Sequence, residues 1–70
     1  MRTIQLQQVA SQLDAANKAG ERAHLYRQGQ SYLVAVEYNH GLSRVVLKPN
    51  GAINSLGSGP IPDGWKVVSV

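Results

Sequence analysis

The residues best suited to chemistry in this sequence are three tyrosines and a few cations that recur at even spacing. Tyr26, Tyr32 and Tyr38 are six residues apart, and Arg44 and Lys48 are four residues apart. Residues an even number apart in a β-strand lie on the same face of the sheet. Aromatic rings interleaved with Arg and Lys on such a face can stack nucleic-acid bases while the cations contact phosphates. Tyrosine and arginine are also favoured anchors in protein interfaces.

Groups suited to catalysis are sparse. Histidine is the residue type best suited to proton transfer at neutral pH, but His40 lies in a turn beside a glycine, and both His24 and His40 are expected to be surface histidines. The four carboxylates are dispersed along the chain: Asp14, Glu21, Glu37 and Asp63. Paired acid–base catalysis needs two carboxylates close together, and a chain of 70 residues has little room for a substrate pocket. We therefore expect no enzyme, no catalytic residue, no cofactor and no small-molecule substrate.

Composition narrows the remaining classes. The chain contains no cysteine, which excludes disulfides, thiol nucleophiles and cysteine-based metal sites, and we expect no metal site. Seven Lys or Arg against four Asp or Glu give a formal net charge of +3 at pH 7. These cations are scattered, which favours modest attraction to acidic partners over a nucleic-acid-binding tail. No signal-peptide pattern and no membrane-spanning apolar stretch is present, so we expect a cytoplasmic protein without a membrane partner.

The element that comes first is a helix over residues 3–19. Its apolar stripe recurs at spacings of three and four, with Ile4 and Ala10 beside it: Leu6, Val9, Leu13 and Ala16. Thr3 is predicted as the N-cap, and Gly20 stands where a left-handed C-cap is favoured. The stripe is narrow and rich in alanine, which is typical of a helix that packs closely on a sheet.

Beyond Gly20 the apolar period changes from 3.6 to 2, which predicts strands. Their expected ranges are 22–27, 31–38, 42–48, 52–56 and 65–70. The segments 39–41 and 49–51 resemble three-residue hairpin loops that end on a glycine with positive φ. A glycine-rich and proline-rich loop follows over 57–64. The strands on either side of each short loop are expected to be antiparallel neighbours.

Loop length decides which residues face one another. A three-residue loop at 39–41 sets Tyr38 opposite Leu42 and Tyr32 opposite Lys48, and the same loop length at 28–30 sets Tyr26 opposite Tyr32. If the loop at 28–29 has two residues instead, Tyr26 and His24 move to the other face. Both alternatives remain open at this point.

The expected register divides the sheet into two faces. One face is almost purely aliphatic and is the predicted contact surface of the helix: Leu33, Ala35, Val45 and Leu47. The other gathers the tyrosines and cations together with several valines: His24, Tyr26, Tyr32, Val34, Val36, Tyr38, Arg44, Val46 and Lys48. One helix covers only one side of a sheet. The second face is therefore exposed, covered by the C-terminal segment with Trp65, or covered by a partner.

These patterns predict a single α+β domain over residues 1–70, with an N-terminal helix packed on one face of a three- to five-stranded antiparallel β-meander. The expected function is that of a small non-enzymatic binding protein, acting through the exposed sheet face on a protein partner or on itself as a homodimer. By analogy at the level of size alone, it is expected to be an inhibitor or accessory protein of a phage or mobile element. The alternative is a nucleic-acid-binding module on the same face. Both hypotheses use the same candidate partner-binding residues: Tyr32, Tyr38, Arg44, Lys48, Tyr26, His24 and Trp65.

Overall fold

The computed structural model describes residues 2–39 and 41–68, and it confirms the predicted α+β architecture of one N-terminal helix packed against an antiparallel sheet. The elements are α1 (Arg2–Lys18), β1 (Ala23–Gln28), β2 (Ser31–Tyr38), β3 (Gly41–Leu47), β4 (Ile53–Ser58) and β5 (Lys66–Val67). The five strands lie in the order β4-β3-β2-β1-β5. Strands β1 to β4 form a meander, and β5 pairs with β1 at the opposite edge. Residues 69 and 70 of the predicted last strand lie outside the described residues, as does His40.

The helix ends in the capping geometry that the sequence predicts. Gly20 has a φ of 74° and donates its N–H to the carbonyl of Asn17 at 3.1 Å. The N–H of Glu21 donates to the carbonyl of Ala16 at 2.9 Å. These two bonds form a Schellman motif, which satisfies carbonyls that would otherwise lack a partner. The N-cap prediction is wrong, because the helix begins one residue before Thr3.

The buried stripe of α1 follows the predicted one at Val9, Leu13 and Ala16 and departs from it at the N-terminal end. Val9 is buried as expected, but Leu6 is 54% exposed and Gln5 is only 2% exposed. The side-chain amide of Gln5 donates to the backbone carbonyls of Gln30 at 2.7 Å and Leu47 at 2.9 Å. A buried amide is tolerated when it is hydrogen-bonded. These two carbonyls explain how a glutamine takes the core position expected for a leucine.

The loop between β3 and β4 confirms the predicted three-residue hairpin. Lys48 donates its N–H to the carbonyl of Ala52 at 3.0 Å, and Gly51 donates to the carbonyl of Lys48 at 3.0 Å. Gly51 has a φ of 88°, and Pro49 occupies the first central position of the turn. Proline fixes φ near the value that this position requires, and glycine tolerates positive φ.

The two earlier hairpin loops are each one residue shorter than predicted. Gln28 pairs with Ser31, so that loop contains only residues 29 and 30. Tyr38 pairs with Gly41, so the next loop contains only residues 39 and 40. Gly29 has a φ of 60°, which suits the first central position of a two-residue type II′ turn. Every predicted pairing in these two hairpins is therefore shifted by one residue.

A shift of one residue moves side chains to the opposite face of the sheet. The face toward α1, the helix face, carries Tyr32, Val34, Val36 and Tyr38 of β2 with Ser43, Val45 and Leu47 of β3. The other face, the loop face, carries Leu33, Ala35, Glu37, Leu42, Arg44 and Val46. The prediction that Leu33 and Ala35 meet the helix beside Val45 and Leu47 is wrong.

Each face of the sheet has its own small core. On the helix face, Val9 of α1 packs with Val34 and Leu47, flanked by partly buried side chains that include Leu13, Leu25, Tyr32, Val36 and Val45. On the loop face, Leu33, Ala35 and Val46 are buried beneath Tyr26, Leu42, Ile61 and Trp65. Segment 59–65 crosses the loop face on its way from β4 to β5. The face away from α1 is therefore covered by the C-terminal segment with Trp65, although only part of the residue set predicted for that face lies on it.

Candidate functional site

The structure distributes the predicted partner-binding residues over both faces. Tyr32 and Tyr38 lie on the helix face, whereas Tyr26, His24 and Arg44 lie on the loop face, where Trp65 packs. Lys48 follows β3 and is exposed at the start of the 49–51 loop. The predicted pairs of Tyr26 with Tyr32 and of Tyr32 with Lys48 are wrong, because Leu33 and Leu47 occupy those partner positions. The expected joint surface of all seven residues is not assembled.

Arg44 has a structural environment that sequence reasoning missed. Its guanidinium donates four hydrogen bonds, at 2.8 to 3.4 Å, to the backbone carbonyls of Pro60, Leu56, Ser58 and Gly57. Charged donors make stronger bonds than neutral ones. Arg44 therefore fixes the end of β4 and the beginning of the crossing segment, and its donors are directed at the protein itself.

His24 and Glu37 are also paired with each other. The Nε2 atom of His24 lies 2.5 Å from Oε2 of Glu37, and both side chains are about half exposed. The two residues occupy neighbouring positions on β1 and β2, because His24 pairs with Ala35. Glu37 in turn pairs with Leu42 of β3. This contact joins two strands across the exposed end of the loop face.

The aromatic side chains contribute mainly to packing. Tyr26 and Trp65 belong to the loop-face core, and Tyr32 borders the helix-face core. The hydroxyl of Tyr38 forms a hydrogen bond with the hydroxyl of Ser58 on β4. Tyr32 and Tyr38 each line two surface hollows, and both hollows beside Tyr32 are also lined by Arg27.

Arg27 and Lys66 form a cationic site that the sequence did not reveal. Lys66 of β5 pairs directly with Arg27 of β1, and Arg27 pairs with Tyr32 of β2. These three residues cross three strands on one face, and we call them the cation row. Within residues 2–39 and 41–68, neither cation lies within ion-pair distance of a carboxylate. Like charges placed directly opposite each other destabilise a sheet, so this arrangement is unusual.

The surroundings of the cation row are polar and open. One hollow is lined by Gln5, Leu6, Arg27, Gln30 and Tyr32. A second, on the β5 side, is lined by Arg27 and Lys66 together with Gln28, Gly29, Tyr32, Gly64, Val67 and Val68. The two-residue loop with Gly29 at its first central position is the signal that places Arg27 opposite Tyr32. The sequence contains no comparable signal for the pairing of β5 with β1.

The outer edge of β4 is a second feature of functional interest. All six of its residues are exposed, including Ile53 at 55% and Leu56 at 36%. A register shift interrupts its pairing with β3 between Arg44 and Val45. Residues 49–62 contain no charged side chain. This edge is thus long, neutral and uncovered.

The described part of the chain contains neither a membrane-spanning helix nor a metal-binding cluster. Its single helix is too short and too polar to cross a membrane, and residues 2–39 and 41–68 contain no cluster of three or more His, Cys, Asp or Glu able to hold a metal ion. Comparison of the chain with protein-family models, curated proteins and solved structures yields no match.

Proposed function

We propose that this protein is a non-enzymatic binding protein that pairs with a second copy of itself along the open edge of β4. The observation that carries the proposal is the uncharged strand Ile53–Ser58 at the edge of the sheet, all six residues of which are exposed. Both sheet faces are already occupied by elements of the same chain. An edge is therefore a better candidate than a face for the predicted association.

Backbone geometry supports this edge as a pairing surface. The carbonyl of Ala52 accepts a hydrogen bond from Lys48, so the backbone groups of that residue point toward β3. In an antiparallel ladder this direction alternates from residue to residue. Ile53 and Ser55 thus direct their N–H and C=O groups away from β3. An antiparallel strand added about a two-fold axis would satisfy them.

Charge directs a second copy to this edge in preference to the rest of the surface. Each chain carries a formal net charge of +3, so two copies repel one another over most of their surfaces. Residues 49–62 are the part of the sheet edge where that repulsion is weakest, because they contain no charged side chain. Proteins usually block open edges with lysine, proline or an inward-pointing charge. Strand β4 contains none of these, and its irregularity near Leu56 confines the proposed pairing to residues 53–55.

Two exposed isoleucines add apolar area to the same edge. Ile53 is 55% exposed and Ile4 of α1 is 49% exposed. Ile4 borders the 49–51 loop, since a Cβ atom placed on Gly51 would lie 3.5 Å from its Cγ2 atom. Burial of these half-exposed side chains would contribute roughly 1 kcal/mol each to association.

The test is the mass of the protein in solution, measured by light scattering after size-exclusion chromatography from micromolar to millimolar concentration. The wild-type chain is expected at twice its 7.6 kDa mass. Ser55→Pro removes an outward N–H and leaves the β3 ladder intact, so this variant is expected to be monomeric. Ser55→Ala loses the same hydroxyl but keeps the N–H, and it should remain dimeric.

A second pair of variants tests the side chains. Ile53→Lys places two like charges close to the two-fold axis and should abolish the dimer, whereas Ile53→Thr should only weaken it. Far-UV circular dichroism establishes that each variant is folded. A monomeric wild-type chain at millimolar concentration would overturn the proposal, as would a Ser55→Pro variant that stays dimeric.

A further inference from the structure

We infer that the cation row of Lys66, Arg27 and Tyr32 binds backbone phosphates of single-stranded nucleic acid. This site lies at the opposite edge of the sheet from β4 and does not depend on the proposed dimer. It also differs from the nucleic-acid surface expected from the sequence, because Arg44 is occupied by backbone carbonyls. Support for this site comes from the opposed cations, the remaining donors of Arg27 and the aromatic ring beside them.

The two opposed cations concentrate positive charge at this edge of the sheet. Lys66 and Arg27 are direct cross-strand partners, a placement that puts Cα atoms about 5 Å apart. A lysine on a short edge strand can be explained as protection against unwanted strand pairing. That explanation does not extend to Arg27, because β1 is an interior strand between β2 and β5. An oxyanion between the two side chains would remove their mutual repulsion.

Only one of the donors of Arg27 is used within the described part of the protein. Its Nε atom donates to the carbonyl of Gly29 at 2.9 Å. This bond ties the guanidinium to the β1–β2 loop. It leaves the two terminal nitrogens available to a ligand. A planar guanidinium matches phosphate geometry with two parallel hydrogen bonds, and a lysine ammonium adds a compact charge. The pair is thus suited to a phosphate group.

The third member of the row favours a single strand over a duplex. Tyr32 lines the hollows on both sides of Arg27. Proteins that bind single strands combine cations that contact the backbone with aromatic rings that stack on bases. The cation row also lies on the end of a sheet rather than on a projecting helix, and a helix is the usual element that enters the major groove of a duplex.

Fluorescence anisotropy with a labelled oligothymidylate of about 12 nucleotides tests the inference. Binding is expected at low salt, and the logarithm of the affinity should fall linearly with the logarithm of the salt concentration. Each cation that neutralises a phosphate of a single strand contributes about 0.7 to this slope. Arg27→Gln and Lys66→Gln should therefore each reduce the slope by about 0.7 and weaken binding several-fold at low salt.

Arg22→Gln is the matched control. It removes the same charge from an exposed residue that precedes β1, at the other end of that strand from Arg27. It should leave the slope unchanged, and circular dichroism verifies the fold of all three variants. Absence of binding at low salt overturns the inference, and so does an Arg22→Gln variant that loses as much affinity as Arg27→Gln. Equal affinity for a duplex of the same length overturns the single-strand assignment.

Discussion

The two edges of the sheet are built in opposite ways. Strand β4 has six residues, no charge and no covering element, whereas β5 has two residues and places Lys66 opposite Arg27. Short length and lysine are the usual means of preventing strand addition. Protection against strand addition by short length and by lysine is therefore present at the β5 edge and absent at the β4 edge. The unprotected edge is the one that we propose pairs with a second copy.

Segment 59–65 connects β4 at one edge of the sheet to β5 at the other. Arg44 binds its beginning through backbone carbonyls, and Trp65 packs its end against the loop-face core. On the helix face, the side-chain amide of Gln5 donates to the carbonyl of Gln30 in the β1–β2 loop and to that of Leu47 at the end of β3.

Trp65→Ala should have the largest effect, because it uncovers the loop-face core and releases the end of the crossing segment. We expect a loss of about 3 kcal/mol in the free energy of unfolding, measured by urea denaturation. The amide of Val68, which donates to the carbonyl of Leu25 at 2.8 Å, should lose protection from hydrogen exchange. Trp65→Phe should retain most of the stability. An unchanged β5 ladder in Trp65→Ala would show that the edge forms without the tryptophan.

Gln5→Leu should cost about 2 kcal/mol, although leucine is the more apolar residue. The substitution removes the donor that satisfies the carbonyls of Gln30 and Leu47. Buried polar groups without a hydrogen-bond partner are unfavourable. Gln7→Leu changes an exposed position of the same helix and should have little effect on stability. If Gln5→Leu proves neutral or stabilising, the helix is held by apolar contacts alone.

Arg44→Met should destabilise the protein by about 1 to 2 kcal/mol through loss of the bonds to the crossing segment. Arg44→Lys should restore little of this loss, because an ammonium cannot reproduce the planar fork that reaches several carbonyls. Amide exchange near Gly59, whose N–H donates to the carbonyl of Leu42 at 3.1 Å, reports on the same region. Full recovery in Arg44→Lys would indicate that charge matters here and geometry does not.

Lys66→Gln should have the smallest effect and the opposite sign. Removal of one opposed cation is expected to raise stability by a few tenths of a kcal/mol at low salt. The gain should disappear at high salt, where the repulsion is screened. Thermal unfolding at two ionic strengths measures both values. A destabilised Lys66→Gln variant at low salt would mean that the pair is not repulsive and would remove the contrast between the edges.

Prediction from the sequence succeeded where structure depends on neighbours in the chain. The helix range, the Gly20 cap and the Pro49–Gly51 loop follow from periodicity and turn chemistry, and the structure confirms them. The register failed because Gly29 and Gly41 suit loops of two or three residues equally well. Gly41, for instance, has a φ of 138° and lies in β3, not in a left-handed turn. One residue of loop length then placed the side chains of β2 on the other face, whereas Val45 and Leu47 of β3 kept the predicted face.

The candidate sites likewise combine features that the sequence determined with features that only the tertiary structure decided. The amino-acid sequence alone determined the fold class, the neutral segment 49–62 and the scarcity of catalytic groups. The tertiary structure alone decided that Arg27 meets Lys66, that Arg44 binds its own backbone and that Trp65 covers the loop face. Those outcomes depend on contacts between residues far apart in the chain, and no local propensity encodes which of two strand edges a terminal segment will join.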